Sequence, residues 1–205
     1  MTESRDRAGV VVAGGRSTRM GDREKAVVEL AGQPLVARIA DRLAAVTDEF
    51  VVNCRADQRE AIAAALGDHD PTFAVDDEPD RGPVAGIATG LRAVEASYAV
   101  IVACDLPFLD PDLLAYLFER AAGHDAAVPK PSEWFEPLHA VYRPEPMVAA
   151  CEDALAEGDV RIVEPLFSVD YEVVERAALL EHGSLESVES VDTPADLRDA
   201  ARRLE

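Results

Sequence analysis

Four short segments combine residue types at spacings that can do chemistry. The first is Ala13-Gly14-Gly15-Arg16-Ser17-Thr18-Arg19-Met20-Gly21, with Lys25 four residues on. A glycine pair frees the backbone, so its N–H groups can face an anion. Arg16, Arg19, Arg23 and Lys25 place four cations within ten positions, which suits a polyphosphate. A tight turn followed by a solvated basic loop would use the same residues. The P-loop pattern GxxxxGK[ST] is absent, because Ala26 follows Lys25, and so is the GxGxxG dinucleotide fingerprint.

The second segment is Cys104-Asp105-Leu106-Pro107. A carboxylate here can hold Mg²⁺ against nucleotide phosphates, since Mg²⁺ takes one or two carboxylates plus phosphate oxygens and waters. It can equally end a strand and cap a turn. Cys104 reads as a packing residue, with no histidine close in sequence to activate it. The third segment is Asp76-Asp77 ahead of Arg81-Gly82-Pro83-Val84-Ala85-Gly86. Asp77 can accept hydrogen bonds from a base or sugar, or belong to an acidic loop leading into a helix. The fourth is Asp192-Thr193-Pro194, where Thr193 reads as a helix cap and Asp192 is left for another role. His69, His124, His139 and His182 fall in no metal-ligand spacing, and neither HExxH nor GxSxG occurs.

Alternating apolar runs and helix-period segments position these residues. Residues 9–13 (GVVVA) form a β-branched run that reads as a buried strand entering the glycine loop. Residues 34–46 carry Leu35, Ile39, Leu43 and Val46 at helical spacing. Strands are expected at 50–53 and 72–75, and helices at 58–66 and 83–94, the latter with Pro83 in its first turn. Gly86 and Gly90, one turn apart, let that helix approach the sheet or a ligand. Residues 98–103 (YAVIVA) predict a strand ending at Cys104-Asp105. Asp110-Pro111 predicts a helix start running to about Ala121. Later strands are expected at 126–129 and 138–142, a helix at 144–156, and a last helix from the Thr193–Asp196 capping signal to Leu204. Alternation of this kind predicts an α/β fold, a Rossmann-like three-layer sandwich with a mostly parallel central sheet. Ligands then sit at the carboxyl ends of the strands, where Gly14-Gly15 and Asp105 both fall.

The 205 residues suffice for one domain, here 8–205, preceded by a flexible N-terminal tail, 1–7. No signal peptide or membrane-length apolar run is visible, and Cys54, Cys104 and Cys151 form no CxxC pair; the cytoplasm is the expected compartment. Forty acidic against 20 basic residues give a net charge of −20, a field that repels a nucleic-acid backbone. It also fits a salt-adapted, halophilic protein whose carboxylate surface stays hydrated under strong screening. Lys25 and Lys130 are the only lysines among the 20 basic residues, so each marks a place where a compact ammonium can matter.

Taken in order, AGGRSTRMG with Lys25, GQPL at 32–35, GPVAG, CDLPF and a late DTPADL resemble the molybdenum cofactor guanylyltransferase family, within the nucleotidyltransferase superfamily. The resemblance runs from about Gly9 to Leu204. It implies GTP as donor, Mg²⁺ as cofactor and a molybdopterin-type acceptor, with no nucleic-acid or membrane partner. It also implies transient contact with molybdoenzymes or cofactor-insertion proteins. Val12, Ala13, Gly14 and Gly15 match the loop that wraps the nucleotide, and Arg19 and Lys25 its triphosphate-binding cations. Asn53 and Asp77 match nucleotide-binding positions, and Asp105 the metal aspartate. Glu136-Pro137-Leu138 stands where relatives carry a Gln-Pro-Leu-like segment near the acceptor. Asp192 stands where many relatives have Asn, and as a carboxylate it is a candidate second metal ligand. A sister enzyme using CTP, or an acceptor such as a sugar phosphate or phospholactate, shares the same phosphate loop. A non-catalytic nucleotide-binding adaptor is the alternative of another class.

Overall fold

Strand β1 (Arg7–Val12) runs straight into the glycine pair. The computed structural model describes residues 6–16, 24–158 and 160–204. Arg7 belongs to β1, so regular structure begins inside the expected 1–7 tail. After a 3-10 turn at Lys25–Val27 come a two-residue hairpin, β2 (Glu29–Leu30) and β3 (Gln33–Pro34), and helix α1 (Leu35–Leu43). Then follow β4 (Glu49–Cys54), α2 (Arg59–Leu66), β5 (Thr72–Val75), α3 (Pro83–Arg92) and β6 (Tyr98–Ala103). The second half holds α4 (Pro111–Ala121), β7 (Ala126–Lys130), β8 (His139–Tyr142), α5 (Pro144–Glu157), β9 (Tyr171–Glu175), α6 (Arg176–His182) and α7 (Pro194–Arg203).

Seven strands form one sheet in the order β5-β4-β1-β6-β8-β7-β9. Only β8 runs against the others, pairing antiparallel with β6 and β7. The central strands are mainly apolar because both faces are covered. Val10, Val51 and Ile101 pack with Ile87 of α3 and Met147 of α5. Their chain neighbours Val11, Val52 and Val102 point the other way, into a cluster with Ile39 of α1, Ile62 of α2 and Leu113 of α4. Each fully buried side chain of this size contributes about 1.5–3 kcal/mol, so the central strands are the fixed frame of the molecule. The expected three-layer α/β sandwich is the one observed.

Two devices bring distant segments to the strand ends. Gly90 seats α3 on the sheet, since a Cβ there would lie 2.6 Å from Val10 Cγ1. Helix α7 starts with a capping box between Thr193 and Asp196, the signal read from sequence. It packs through Ala200, and the preceding Val191 beside it, on the β2–β3 hairpin and Leu35. The Val191 N–H then donates to the Asp105 carbonyl at 2.9 Å. That bond stitches the late segment to the end of β6 and delivers Asp192 to the rim. Among the described residues no helix is long and apolar enough to cross a membrane.

Candidate active site

The sheet order reverses at β1, with β4 on one side and β6 on the other. A cleft of about 590 Å³ opens at the carboxyl ends of these strands, at the switch point where open α/β sheets bind ligands. Val12, Ala13, Gly14 and Gly15 line it, together with Lys25, Asn53, Asp105 and Asp192. Residues spread over most of the chain length are therefore gathered by the topology into one place.

At its centre lies Lys25, 8% exposed. Its ammonium donates to Asp105 Oδ2 and, at 2.8 Å, to Asp192 Oδ1. Burial alone would lower the lysine pKa, but the two carboxylates outweigh it and the value is raised, so the ammonium stays charged at neutral pH. Asp192 is further held by the Ser190 hydroxyl at 2.8 Å. Two carboxylates thus converge on one cation position. Among the described residues no group of three or more metal-ligating side chains occurs, so no all-protein metal cage is built. A pair of carboxylates open to a cleft instead fits a hard cation that takes its other ligands from phosphates and water. Cys104 lies beside this cluster, but burial pushes its thiol up to about 12, which leaves it inert at neutral pH.

The opposite wall is Asn53, fully buried at the end of β4. Its amide nitrogen donates to the Ala74 carbonyl at 3.1 Å and to Asp76 Oδ1 at 2.7 Å. Two acceptors on that side fix the amide orientation. Oδ1 is left as a buried acceptor without a hydrogen bond, near Gly14 and Gly86. A buried acceptor of this kind costs free energy unless something donates to it. Gly86 leaves the space in front of it: a Cβ there would sit 2.7 Å from Asn53 Oδ1 and 3.1 Å from Val12 Cγ1. Gly86→Ala should therefore destabilise the fold by about 1–3 kcal/mol. The melting temperature of the variant against the native chain tests this, and an unchanged value would show that the helix accommodates the added methyl without cost.

Asp76, not Asp77, lines the cleft. The Asp76 N–H extends the β4–β5 ladder by donating to the Cys54 carbonyl, which turns its side chain to Asn53 and the next residue away from the cleft wall. Burial raises the Asp76 carboxyl pKa, opposed by the Asn53 hydrogen bond. Arg16 reaches across the mouth to pair with Asp80, Nε to Oδ1 at 2.6 Å. Arg19 lies outside the described residues. Residues that the sequence did not flag stand behind the loop: Arg55 and Gln58 donate to the carbonyls of Ala13–Gly15, and Glu24 accepts from Gln58. Their signal was available. Arg55 and Gln58 follow the second strand directly, at the same rim as the glycine loop.

The family model of the MobA-like NTP transferase domain matches residues 9–169. The chain belongs to the MobA-like NTP transferase family. It is 65% identical over 199 residues to the probable molybdenum cofactor guanylyltransferase of Natronomonas pharaonis, covering 97% of this chain and 98% of that one. It is 38% identical over 197 residues to the probable molybdenum cofactor guanylyltransferase of Haloferax mediterranei, covering 96% and 94%. Among solved structures it is similar to molybdopterin-guanine dinucleotide biosynthesis protein A from Archaeoglobus fulgidus, with a TM-score of 0.81 at 26% identity, covering 96% and 98%. The MobA-like match ends at residue 169, so Asp192 is contributed by a segment beyond the matched domain, and the near full-length relatives extend over it.

Proposed function

We propose that the protein transfers GMP from GTP to the terminal phosphate of molybdenum-molybdopterin, releasing pyrophosphate and forming the guanine dinucleotide form of the cofactor. The observation that carries this reading is the meeting of Lys25, Asp105 and Asp192 in the cleft that Gly14, Gly15 and Asn53 also line. The family membership and the names of the near full-length relatives support the substrate assignment.

No covalent enzyme intermediate is needed. A phosphate monoester is mostly dianionic near neutral pH, so the acceptor requires no strong general base. Its oxygen attacks the α-phosphorus of GTP in line, and the bond to the β-phosphate oxygen breaks. The protein supplies position and charge. Lys25 donates to the transferring group or the departing pyrophosphate, and Arg19 is assigned to the same polyphosphate. Asn53 Oδ1 accepts from a donor on the nucleoside, with Asp76 rather than Asp77 beside it. Asp105 and Asp192 would hold Mg²⁺, which when bound neutralises phosphate charge.

Nucleotide-dependent thermal stabilisation, in high salt with Mg²⁺, tests the donor. At a hundredfold excess over Kd, a nucleotide bound only by the native state adds about 2.7 kcal/mol, or roughly 5–10 °C for a chain of this size. GTP is expected to give the largest shift among GTP, CTP, UTP and ATP. A larger shift with CTP moves the protein to a sister activity on the same fold. Pyrophosphate release with the pterin acceptor then separates the enzyme from an adaptor, which binds nucleotide and releases none.

A further inference from the structure

The glycine loop is held from behind by two buried side chains. Gln58, 1% exposed, donates from Nε2 to the Ala13 carbonyl at 2.9 Å and to the Gly15 carbonyl at 3.4 Å. Arg55, 8% exposed, donates from Nη1 to the Gly14 carbonyl at 2.8 Å and to the Gly15 carbonyl at 3.0 Å. Three consecutive carbonyls are thus captured on one side. In a planar trans peptide the N–H points opposite to the C=O. The N–H groups of Gly14, Gly15 and Arg16 are therefore turned away from Arg55 and Gln58. These are residues that line the cleft. Successive amides presented in this way make an anion-binding concavity.

The two side chains also hold each other. The Arg55 N–H donates to Gln58 Oε1 at 2.8 Å. Glu24 accepts from both, from Gln58 Nε2 at 2.5 Å and from Arg55 Nη2 at 3.4 Å, and Asp57 accepts from Arg55 Nε at 3.1 Å. The buried guanidinium is thereby neutralised, and its fork is used in three directions at once. Glu24 directly precedes Lys25, so the same brace fixes the backbone that carries the central ammonium. The glycine pair needs such a brace. Nothing lies within 4 Å of a Cβ built on Gly15, so packing does not restrict the loop there, and glycine has the widest conformational freedom.

We propose that Arg55 and Gln58 are positioning residues that preset the amides of residues 14–16 for the polyphosphate of the nucleotide, and that Glu24 locks them. This rests on the nucleotide reading given above. It assigns the pair to the phosphates, not to the base or the acceptor. A lysine cannot replace Arg55, because one ammonium does not span two carbonyls and two carboxylates in a plane.

The test uses Gln58→Leu, Arg55→Ala and Arg55→Lys in high salt, with affinities measured for inorganic tripolyphosphate, GTP and guanosine. Tripolyphosphate and GTP affinities should fall together by about tenfold or more, while guanosine affinity stays within about twofold. The turnover loss should appear as a raised KM for GTP more than a lowered kcat, and Arg55→Lys should not restore it. Gln58→Leu keeps side-chain bulk and charge, so it provides the answer if Arg55→Ala does not fold. Equal weakening of all three ligands, or wild-type tripolyphosphate affinity in a folded Gln58→Leu variant, overturns the assignment while leaving the nucleotide reading intact. Native protein that binds neither GTP nor tripolyphosphate overturns both.

Discussion

Lys25→Ala is expected to release pyrophosphate at least about a hundredfold more slowly than the native chain, the scale of losing one preorganised electrostatic donor. Lys25 is nearly buried and touches both carboxylates of the site, so its removal does two things. It deletes the cation proposed to face the transferred phosphate. It also removes the ammonium from which both Asp105 and Asp192 accept. The second effect should lower the melting temperature, and divalent cation should partly restore it. Asp105→Ala is expected to cost at least as much in turnover, by removing a carboxylate that holds both the ammonium and the proposed metal. The raised lysine pKa sets the pH response. A raised value contributes stability fully below the ordinary 10.5 and loses it only as pH rises through the folded value, so the Lys25 ammonium keeps its proton near neutrality. Near-normal pyrophosphate release by either variant would remove both residues from the proposed chemistry.

Melting temperature should rise by on the order of 10 °C between low and multimolar salt. The chain carries 40 acidic and 20 basic residues, so even complete one-to-one pairing leaves 20 carboxylates over. Many observed pairs, such as Arg92–Glu152 and Arg161–Glu164, are solvent-exposed and worth little each. Self-repulsion of the remainder opposes the compact state. The Debye length shrinks from about 10 Å at 0.1 M to about 3 Å at 1 M, which removes most of that repulsion. Relief of about 3–4 kcal/mol gives the stated shift for a chain of this size. A melting temperature that does not move with KCl would show that the acidic surface is neutral to stability.

The parts of the fold that were legible in the sequence are those whose local pattern and burial agree. The strands Thr72–Val75 and Tyr98–Ala103 and the start of the helix at Pro111 fall where apolar runs, Pro and Asp put them. Helix α1 ends at Leu43, short of Val46, and the chain leaves it through a turn in which Thr47 donates both its N–H and its hydroxyl to the Leu43 carbonyl. Strand β9 and helix α6 were not legible. β9 is a sheet-edge strand with Val174 its one fully buried residue, and α6 buries only Leu179 over seven positions. Neither leaves a periodic trace. The site was legible in its chemistry but not in its second layer. Asn53 and Asp105 sit where the strand ends put them, and Lys25 reaches the same rim from the 3-10 turn after the glycine loop. Asp76 rather than Asp77 lines the cleft, a distinction that depends on ladder register and not on residue type. Arg55 and Gln58 act through backbone carbonyls and Glu24 through those two side chains; their place just after a strand end was legible, but these bonds were not.

The pairing of Lys25 with Asp192 spans 167 positions of chain. Everything else at the centre of the cleft, from the glycine loop to Asp105, is synthesised well before Asp192. Contacts of such long separation close late, after the local and neighbouring-strand pairings have formed. Asp192 therefore reaches the rim only once the segment at Val191 has stitched itself to the Asp105 carbonyl. On the proposed reading, a chain clipped ahead of Val191 carries the glycine loop without its second carboxylate.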